Sequence, residues 1–256
     1  MKWARHRALQ ARFFAGTWLN MGSADSAEIA GLAGYDWALI DLEHGSRDHR
    51  ELAHQLQAMA RFDTAAIVRV PVIEADMFKQ VLDLGPAGLM IPNVETQEQA
   101  QTVMRYARIP PLGMRGAATS TRNSDYGLQY RRYLAEVNDN LLMVAQIESA
   151  LGLANVEAIA AVDGIDVLFV GPTDLGIALG LDGDPAVPAF RAALEKVAAA
   201  AAAHGKLAGS LVRNAEQAKA YAALGYRFVA LGSDRSMIVK GMAANAAVLA
   251  ELGGGR

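Results

Sequence analysis

The chain has 256 residues, 52 % of them hydrophobic, and its 24 Lys and Arg against 27 Asp and Glu leave a formal net charge of −3. That balance provides no basic stripe for nucleic acid, and no window approaches the roughly 20 apolar residues that span a bilayer. Cysteine is absent, which excludes disulfides, a thiolate nucleophile and a zinc–thiolate centre and suits a cytoplasmic protein.

Residues 1–12 are basic and lack acids, a faint likeness to a transit peptide, but with no Ser and no cleavage signal they read as a short amphipathic helix carrying Trp3 and Leu9. Apolar, β-rich runs follow at 13–18, 37–41, 66–70, 88–92, 142–147, 166–170, 206–211 and 228–232. Segments with helical spacing lie at 26–33, 48–60, 74–84, 96–107, 151–161, 189–204, 215–224 and 235–252. Regular alternation with near-continuous apolar strands means a parallel sheet covered by helices, and eight repeats mean closure into a (β/α)8 TIM barrel, one domain over 1–256. An open doubly wound sheet is the alternative, but no Gly-x-Gly-x-x-Gly follows the first strand.

In such a barrel the carboxyl ends of the strands carry chemistry. The second strand runs into Asp41-Leu-Glu43-His44-Gly45, the third ends at Arg69, the fifth gives Gln146 and Glu148, and the sixth gives Thr173 and Asp174. Glu148 and Asp174 are hard oxygen ligands at adjacent strand ends and point to Mg²⁺ or Mn²⁺; each could instead be a helix-start acid. His44 is the natural general base, oriented by Asp41, or else a histidine capped by local acids. Arg69 would bind a carboxylate or stabilise an oxyanion, or form a structural ion pair with Glu43 or Asp41. The lysines, Lys240 among them, sit on helices, at the chain start or at a strand start, so none is placed for a Schiff base. A hard metal, a His/Asp base and an oxyanion-stabilising Arg suit proton abstraction next to a carbonyl, or its reverse.

Several motifs carry a resemblance: Asp41-Leu-Glu43-His44-Gly45, Val68-Arg69-Val70-Pro71, Pro110-Pro111-Leu-Gly113-Met-Arg115-Gly116, Gln146-Ile-Glu148-Ser149, Gly171-Pro172-Thr173-Asp174-Leu175 and Val229-Ala-Leu-Gly232-Ser-Asp234. Taken in order they cover nearly the whole chain, which resembles the metal-dependent (class II) pyruvate aldolases, including 4-hydroxy-2-oxoheptanedioate and 2-dehydro-3-deoxyglucarate aldolases. The resemblance implies cleavage of a 4-hydroxy-2-oxo acid to pyruvate or hydroxypyruvate and an aldehyde with Mg²⁺, Mn²⁺ or Co²⁺. It also implies a hexamer, a dimer of trimers, with the C-terminal helix exchanged between subunits. It makes Glu148 and Asp174 the metal ligands, His44 with Asp41 the base dyad, and Arg69 the partner of the keto or enolate oxygen. Backbone amides at Thr173 and Asp174, within Gly171-Pro172-Thr173-Asp174, would hold the pyruvate carboxylate. Gln146, Trp18 and Leu211 would border the substrate. Asp83 would reach a neighbouring subunit's site, although by sequence alone it is an exposed helix acid, and Trp18 equally reads as a core residue. Thr173 stands where Ala or Ser is usual, and the stretch 117–127 lies closer to the sugar-acid branch and is expected to meet the aldehyde. Oxaloacetate decarboxylation on the same site, a CoA-ester lyase activity of the citrate lyase beta branch, and a catalytically silent 2-oxo acid binder are the competing readings.

Overall fold

The computed structural model describes residues 3–252. Its first half runs α1 (Arg5–Gln10), β1 (Phe14–Leu19), α2 (Ala24–Leu32), β2 (Trp37–Asp41), α3 (His49–Met59), β3 (Ala65–Arg69), α4 (Ala75–Asp83), β4 (Gly88–Ile91), α5 (Gln97–Ala107), a 3-10 turn (Arg122–Ser124) and α6 (Tyr130–Asn140). The second half continues with β5 (Leu142–Ile147), α7 (Ala150–Ala154), α8 (Val156–Ala160), β6 (Val167–Val170), α9 (Pro172–Leu179), α10 (Pro188–Ala203), β7 (Leu207–Val212), α11 (Ala215–Ala223), β8 (Tyr226–Ser233) and α12 (Asp234–Leu252). The strands are parallel and close in sequence order, β8 pairing back onto β1, so the chain folds as the (β/α)8 barrel its alternation predicts.

Strand side chains alternate between two faces, and each face has its own core. Phe14, Trp18, Trp37, Leu39, Ile67, Met90, Leu142, Val144, Val167, Phe169 and Phe228 fill the lumen. Their neighbours in sequence, such as Ala38, Ile40, Val68, Leu89, Ala145 and Leu168, meet the surrounding helices. Trp37 stacks on Phe228 with ring centroids 4.1 Å apart, and Gly16 makes room for it, since a Cβ there would come within 2.1 Å of the indole. α1 lies at the strand starts, where it adds Ala4 and Ala8 to the lumen core and ties Arg5 to buried Asp166 at 2.8 Å.

The helices begin where side chains can satisfy their first N–H groups. Ser23, Asp48, Ser149 and Asn214 accept from the first turns of α2, α3, α7 and α11, and Thr96 with Gln99 forms a capping box on α5. Among the described residues no helix is long and apolar enough to cross a membrane.

Three features depart from the sequence reading. The helix expected over 151–161 breaks at Asn155, whose amide Nδ2 donates to Glu95 O at 2.8 Å. α6 and α9 form where no helix is predicted. The stretch 117–127 does not meet the carboxyl ends of its own barrel. Arg122 donates to Leu84 O and Leu56 O, and Arg122, Asn123, Asp125 and Tyr126 line a separate cavity with Ala65, Ala66 and Ala87 at the strand starts.

Candidate active site

A cavity of about 560 Å³ opens at the carboxyl ends of the strands and is lined by Trp18, Asp41, His44, Arg69, Gln146, Gly171, Pro172, Thr173, Asp174 and Leu211, among others. The alternation that fills the lumen explains why these residues converge. Trp37, Leu39 and Asp41 share one face of β2, Ala65, Ile67 and Arg69 one face of β3, and Leu142, Val144 and Gln146 one face of β5, with Glu148 next in phase.

Asp41 and Arg69 are register neighbours on β2 and β3 and are almost fully buried. The guanidinium is bidentate, with Nε to Asp41 Oδ1 at 2.9 Å and Nη2 to Oδ2 at 2.7 Å, while Nη1 forms a 2.8 Å ion pair with Glu43. Burial pushes the Asp41 carboxyl up, but the hydrogen bond and charge of Arg69 outweigh it and hold the group below its ordinary value. Asp41 also accepts from Trp18 Nε1 at 3.3 Å and Asn20 Nδ2 at 2.7 Å. The sequence reading has Asp41 orient the His44 imidazole. Instead Asp41 accepts from the backbone N–H groups of Glu43 at 3.0 Å and His44 at 3.3 Å, and Arg69 occupies its oxygens. The ring stands at the mouth, 68 % exposed, with Nε2 4.0 Å from Glu43 Oε2. Arg69 thus forms the ion pairs of its structural alternative and borders the cavity as well.

Glu148 Oε1 accepts from the Asn93 N–H at 2.8 Å and Oε2 from Gln146 Nε2 at 3.1 Å. Asn93 follows β4 with φ 46°, a left-handed conformation that Asn tolerates and that aims its N–H at the carboxylate. Burial, with the negative charges of Glu43 and Asp174 adding to it, pushes Glu148 up to about 7. Gly171 permits the approach, since a Cβ there would come within 2.6 Å of Glu148 Oε2. Asp174 is exposed to the cavity in the first turn of α9, which starts with Gly171 as its cap and Pro172 at its first position. The first-turn N–H groups of Thr173 and Asp174 have no intrahelical acceptor, so the amides assigned to a carboxylate lie at a helix N-terminus. Gln146 Oε1 is buried with no hydrogen-bond partner. Among the described residues no three His, Cys, Asp or Glu side chains form a metal-binding group.

Asp83 does not join the cavity. It ends α4 at the strand-start end, where Asn123 Nδ2 donates to it at 3.3 Å and burial raises its carboxyl against the pull of Arg115 and Lys79. Sequence reasoning missed Asn20, Asn93, Phe169, Arg213, Ser233, Ser236 and Lys240. Asn20 and Arg213 each stand one residue past a strand, a signal within reach, whereas Lys240 was set aside with the other lysines and yet lines the cavity from α12.

Residues 15–240 match the HpcH/HpaI aldolase/citrate lyase family. A 4-hydroxy-2-oxovalerate aldolase of Rhodococcus jostii is 42 % identical over 238 residues, covering 93 % of this chain and 92 % of that one. A 5-keto-4-deoxy-D-glucarate aldolase of Klebsiella pneumoniae is 41 % identical over 219 residues, covering 86 % and 85 %. The solved structure of an HpcH/HpaI aldolase/citrate lyase family protein from Burkholderia cenocepacia superposes with a TM-score of 0.90 at 36 % identity, over 96 % of this chain and 98 % of that one. With the barrel and the cluster at its mouth, these likenesses establish that the chain belongs to the HpcH/HpaI aldolase/citrate lyase family.

Proposed function

We propose that the protein is an aldehyde-lyase that reversibly cleaves a 4-hydroxy-2-oxo acid into pyruvate, or hydroxypyruvate, and an aldehyde. The observation that carries this reading is the convergence of Arg69, His44, Gln146 and Asp174 on one cavity, with Glu148 hydrogen-bonded to Gln146 at its edge.

Glu148 and Asp174 fit a hard divalent ion, Mg²⁺, Mn²⁺ or Co²⁺. Both are oxygen donors, and Glu148 is a half-buried carboxylate beside the negative charges of Glu43 and Asp174, a setting that a cation relieves. When bound, such an ion supplies Lewis-acid stabilisation of charge on the 2-oxo group. In cleavage the C4 hydroxyl loses its proton, the C3–C4 bond breaks, the aldehyde leaves, and the electron pair passes to the pyruvate half as an enolate. Arg69, already fixed by Asp41 and Glu43, donates to the enolate oxygen with no reorganisation at the moment of reaction. His44 at the mouth takes and returns protons. Asp41 acts on it through the backbone amides of residues 43 and 44 and is a positioning residue. The first-turn N–H groups of α9 and Gln146 hold the oxo-acid end, while Trp18, Leu211 and Thr173 form the walls. Asp83 has its place in a neighbouring subunit's cavity. That subunit belongs to a homohexamer built as a dimer of trimers, and the cysteine-free chain works in the cytoplasm.

The two relatives' names differ at the far end of the substrate: one specifies a 4-hydroxy-2-oxo acid with an uncharged end, the other a diacid. A panel of 4-hydroxy-2-oxo acids assayed for pyruvate release tests the reading. Release should stop with EDTA and return with Mg²⁺ or Mn²⁺, and borohydride added with pyruvate should leave the enzyme active. Metal-independent turnover, or borohydride inactivation, would show a Schiff-base enzyme instead.

A further inference from the structure

The cavity has a second charged wall. Arg69, Gln146 and Asp174 line the cavity from the ends of β3 and β5 and from the start of α9, where the proposed oxo-acid end belongs. The side built after β7 and β8 carries Arg213 and Lys240. Arg213 stands one residue past β7, on a loop held by the bond from its own N–H to Gln217 Oε1 at 3.0 Å, and Lys240 lies in the second turn of α12.

Neither cation forms an ion pair among the described residues. The acid nearest in sequence to this wall, Asp234, is committed elsewhere: its oxygens accept from the backbone N–H groups of Asn20 at 2.9 Å, Met21 at 3.3 Å and Arg235 at 2.7 Å. Asp184 acts on Tyr221 from the same quarter as Arg213 but makes no ion pair with it. The hydroxyls of Ser233 and Ser236 line the same wall. Loops after the seventh and eighth strands are a frequent anion site in barrels of this class. Here two uncompensated cations are added, in a cavity whose other anion positions belong to the oxo-acid end.

We propose that Arg213 and Lys240 bind an anionic group at the far end of the aldehyde half, a carboxylate or a phosphate, and so select substrates charged at both ends. This inference rests on the aldolase reading and deepens it. The guanidinium supplies a fork for two oxygens and the ammonium a second point of charge. Carried by the end of β7 and by α12 rather than by the strands that bear Arg69 and Gln146, they fix which way round the substrate lies.

The test is aldol addition with pyruvate and Mg²⁺, using aldehydes matched in length: butanal against 4-oxobutanoate, and glyceraldehyde against glyceraldehyde 3-phosphate. The readout is the ratio of kcat/KM for the anionic over the neutral member of each pair, in which any general loss of active protein cancels. The wild type should favour at least one anionic member by about tenfold or more, the scale of a charge-assisted hydrogen bond. Arg213→Gln and Lys240→Gln should each lower that ratio, and the double variant should bring it to about one. The pair with the larger wild-type ratio identifies carboxylate or phosphate as the ligand. Turnover with a ratio near one in the wild type, or a ratio that survives in the double variant, would overturn the proposal and leave the aldolase reading standing. No turnover with any aldehyde, together with no exchange of the pyruvate methyl protons in D₂O, would overturn both.

Discussion

Asp41 and Arg69 show how much one register pairing decides. Their strands are adjacent and both side chains fall on the lumen face, so the sequence places them together; that the guanidinium would be bidentate and leave the imidazole to its backbone depends on side-chain geometry that spacing does not encode. The same limit hid Asn93, whose contribution is a backbone N–H released by a left-handed φ. Because Arg69 holds the Asp41 carboxyl below its unfolded value, the pair contributes stability that is present above that value and lost as pH falls through the folded one. Replacing Arg69 with Leu reverses the sign. Burial then raises the carboxyl, so stability is lost as pH rises past the unfolded value. Arg69→Leu should cost about 3 to 5 kcal/mol near neutrality and melt at a higher temperature at pH 5 than at pH 7, while Asp41→Asn/Arg69→Leu recovers most of the loss at pH 7. A single variant whose melting temperature falls on acidification, as in the wild type, would show that the pair carries no such linkage. Arg69→Lys keeps a charge but loses the fork. It should slow both aldol turnover and proton exchange at the pyruvate methyl in D₂O by roughly 10²- to 10³-fold. Exchange at the wild-type rate would move Arg69 from the enolate to the aldehyde or to structure alone.

The strands were legible as elements because a barrel buries both faces of each, so apolar runs mark them with ends in error by at most one residue, except the start of β8, which lies two residues earlier than expected. The helices that escaped have weaker signatures. α6 buries only Tyr133 and Val137, packed with Ile109 in a small separate cluster, which is too little apolar periodicity to register against its charged and amide residues. α9 hides in Gly171-Pro172-Thr173-Asp174, which reads as a turn because Pro at the first helical position and a loop Pro look alike in sequence. Its start nevertheless matters most to the site, since the β6–α9 junction brings Gly171 against Glu148 and Asp174 to the cavity. Gly171→Ala should preserve the strand and helix, because φ is −83° and ψ 97°, values open to alanine. The new methyl would instead displace the Glu148 carboxylate. Metal affinity, followed by calorimetry with Mn²⁺, should fall about 10- to 100-fold with circular dichroism unchanged. Unaltered affinity would separate Glu148 from metal binding.

At the scale of the whole molecule, two features of one chain look incomplete. The cavity at the strand ends lacks Asp83, which lies at the opposite end, and α12 lacks a cover. The spacing of Met237, Ile238, Met242, Val248 and Leu249 puts them on little more than one face of this helix, a face that in a self-contained chain would pack against the barrel's own neighbouring helices. The helix instead packs at its start on β1 and β8, and Asp234 is its one buried residue, leaving Met242, Val248 and Leu249 exposed at 69, 59 and 68 %. Apolar side chains spread along so many turns of a single helix are rare on a monomer's surface and mark an interaction site. Small residues at Ala243, Ala244, Ala246 and Ala247 allow a second helix to approach closely. In the proposed hexamer one symmetry operation would cover α12 and another would carry Asp83 toward a neighbour's cavity. Light scattering of the intact protein should therefore give a hexamer of 27.2 kDa subunits. Met242→Glu/Leu249→Glu, which leaves Lys240 and the cavity in place, should dissociate or aggregate it and cut aldol activity, as should deletion after Ser236. A monodisperse monomer with full activity would remove both the exchange of α12 and any part for Asp83 across an interface.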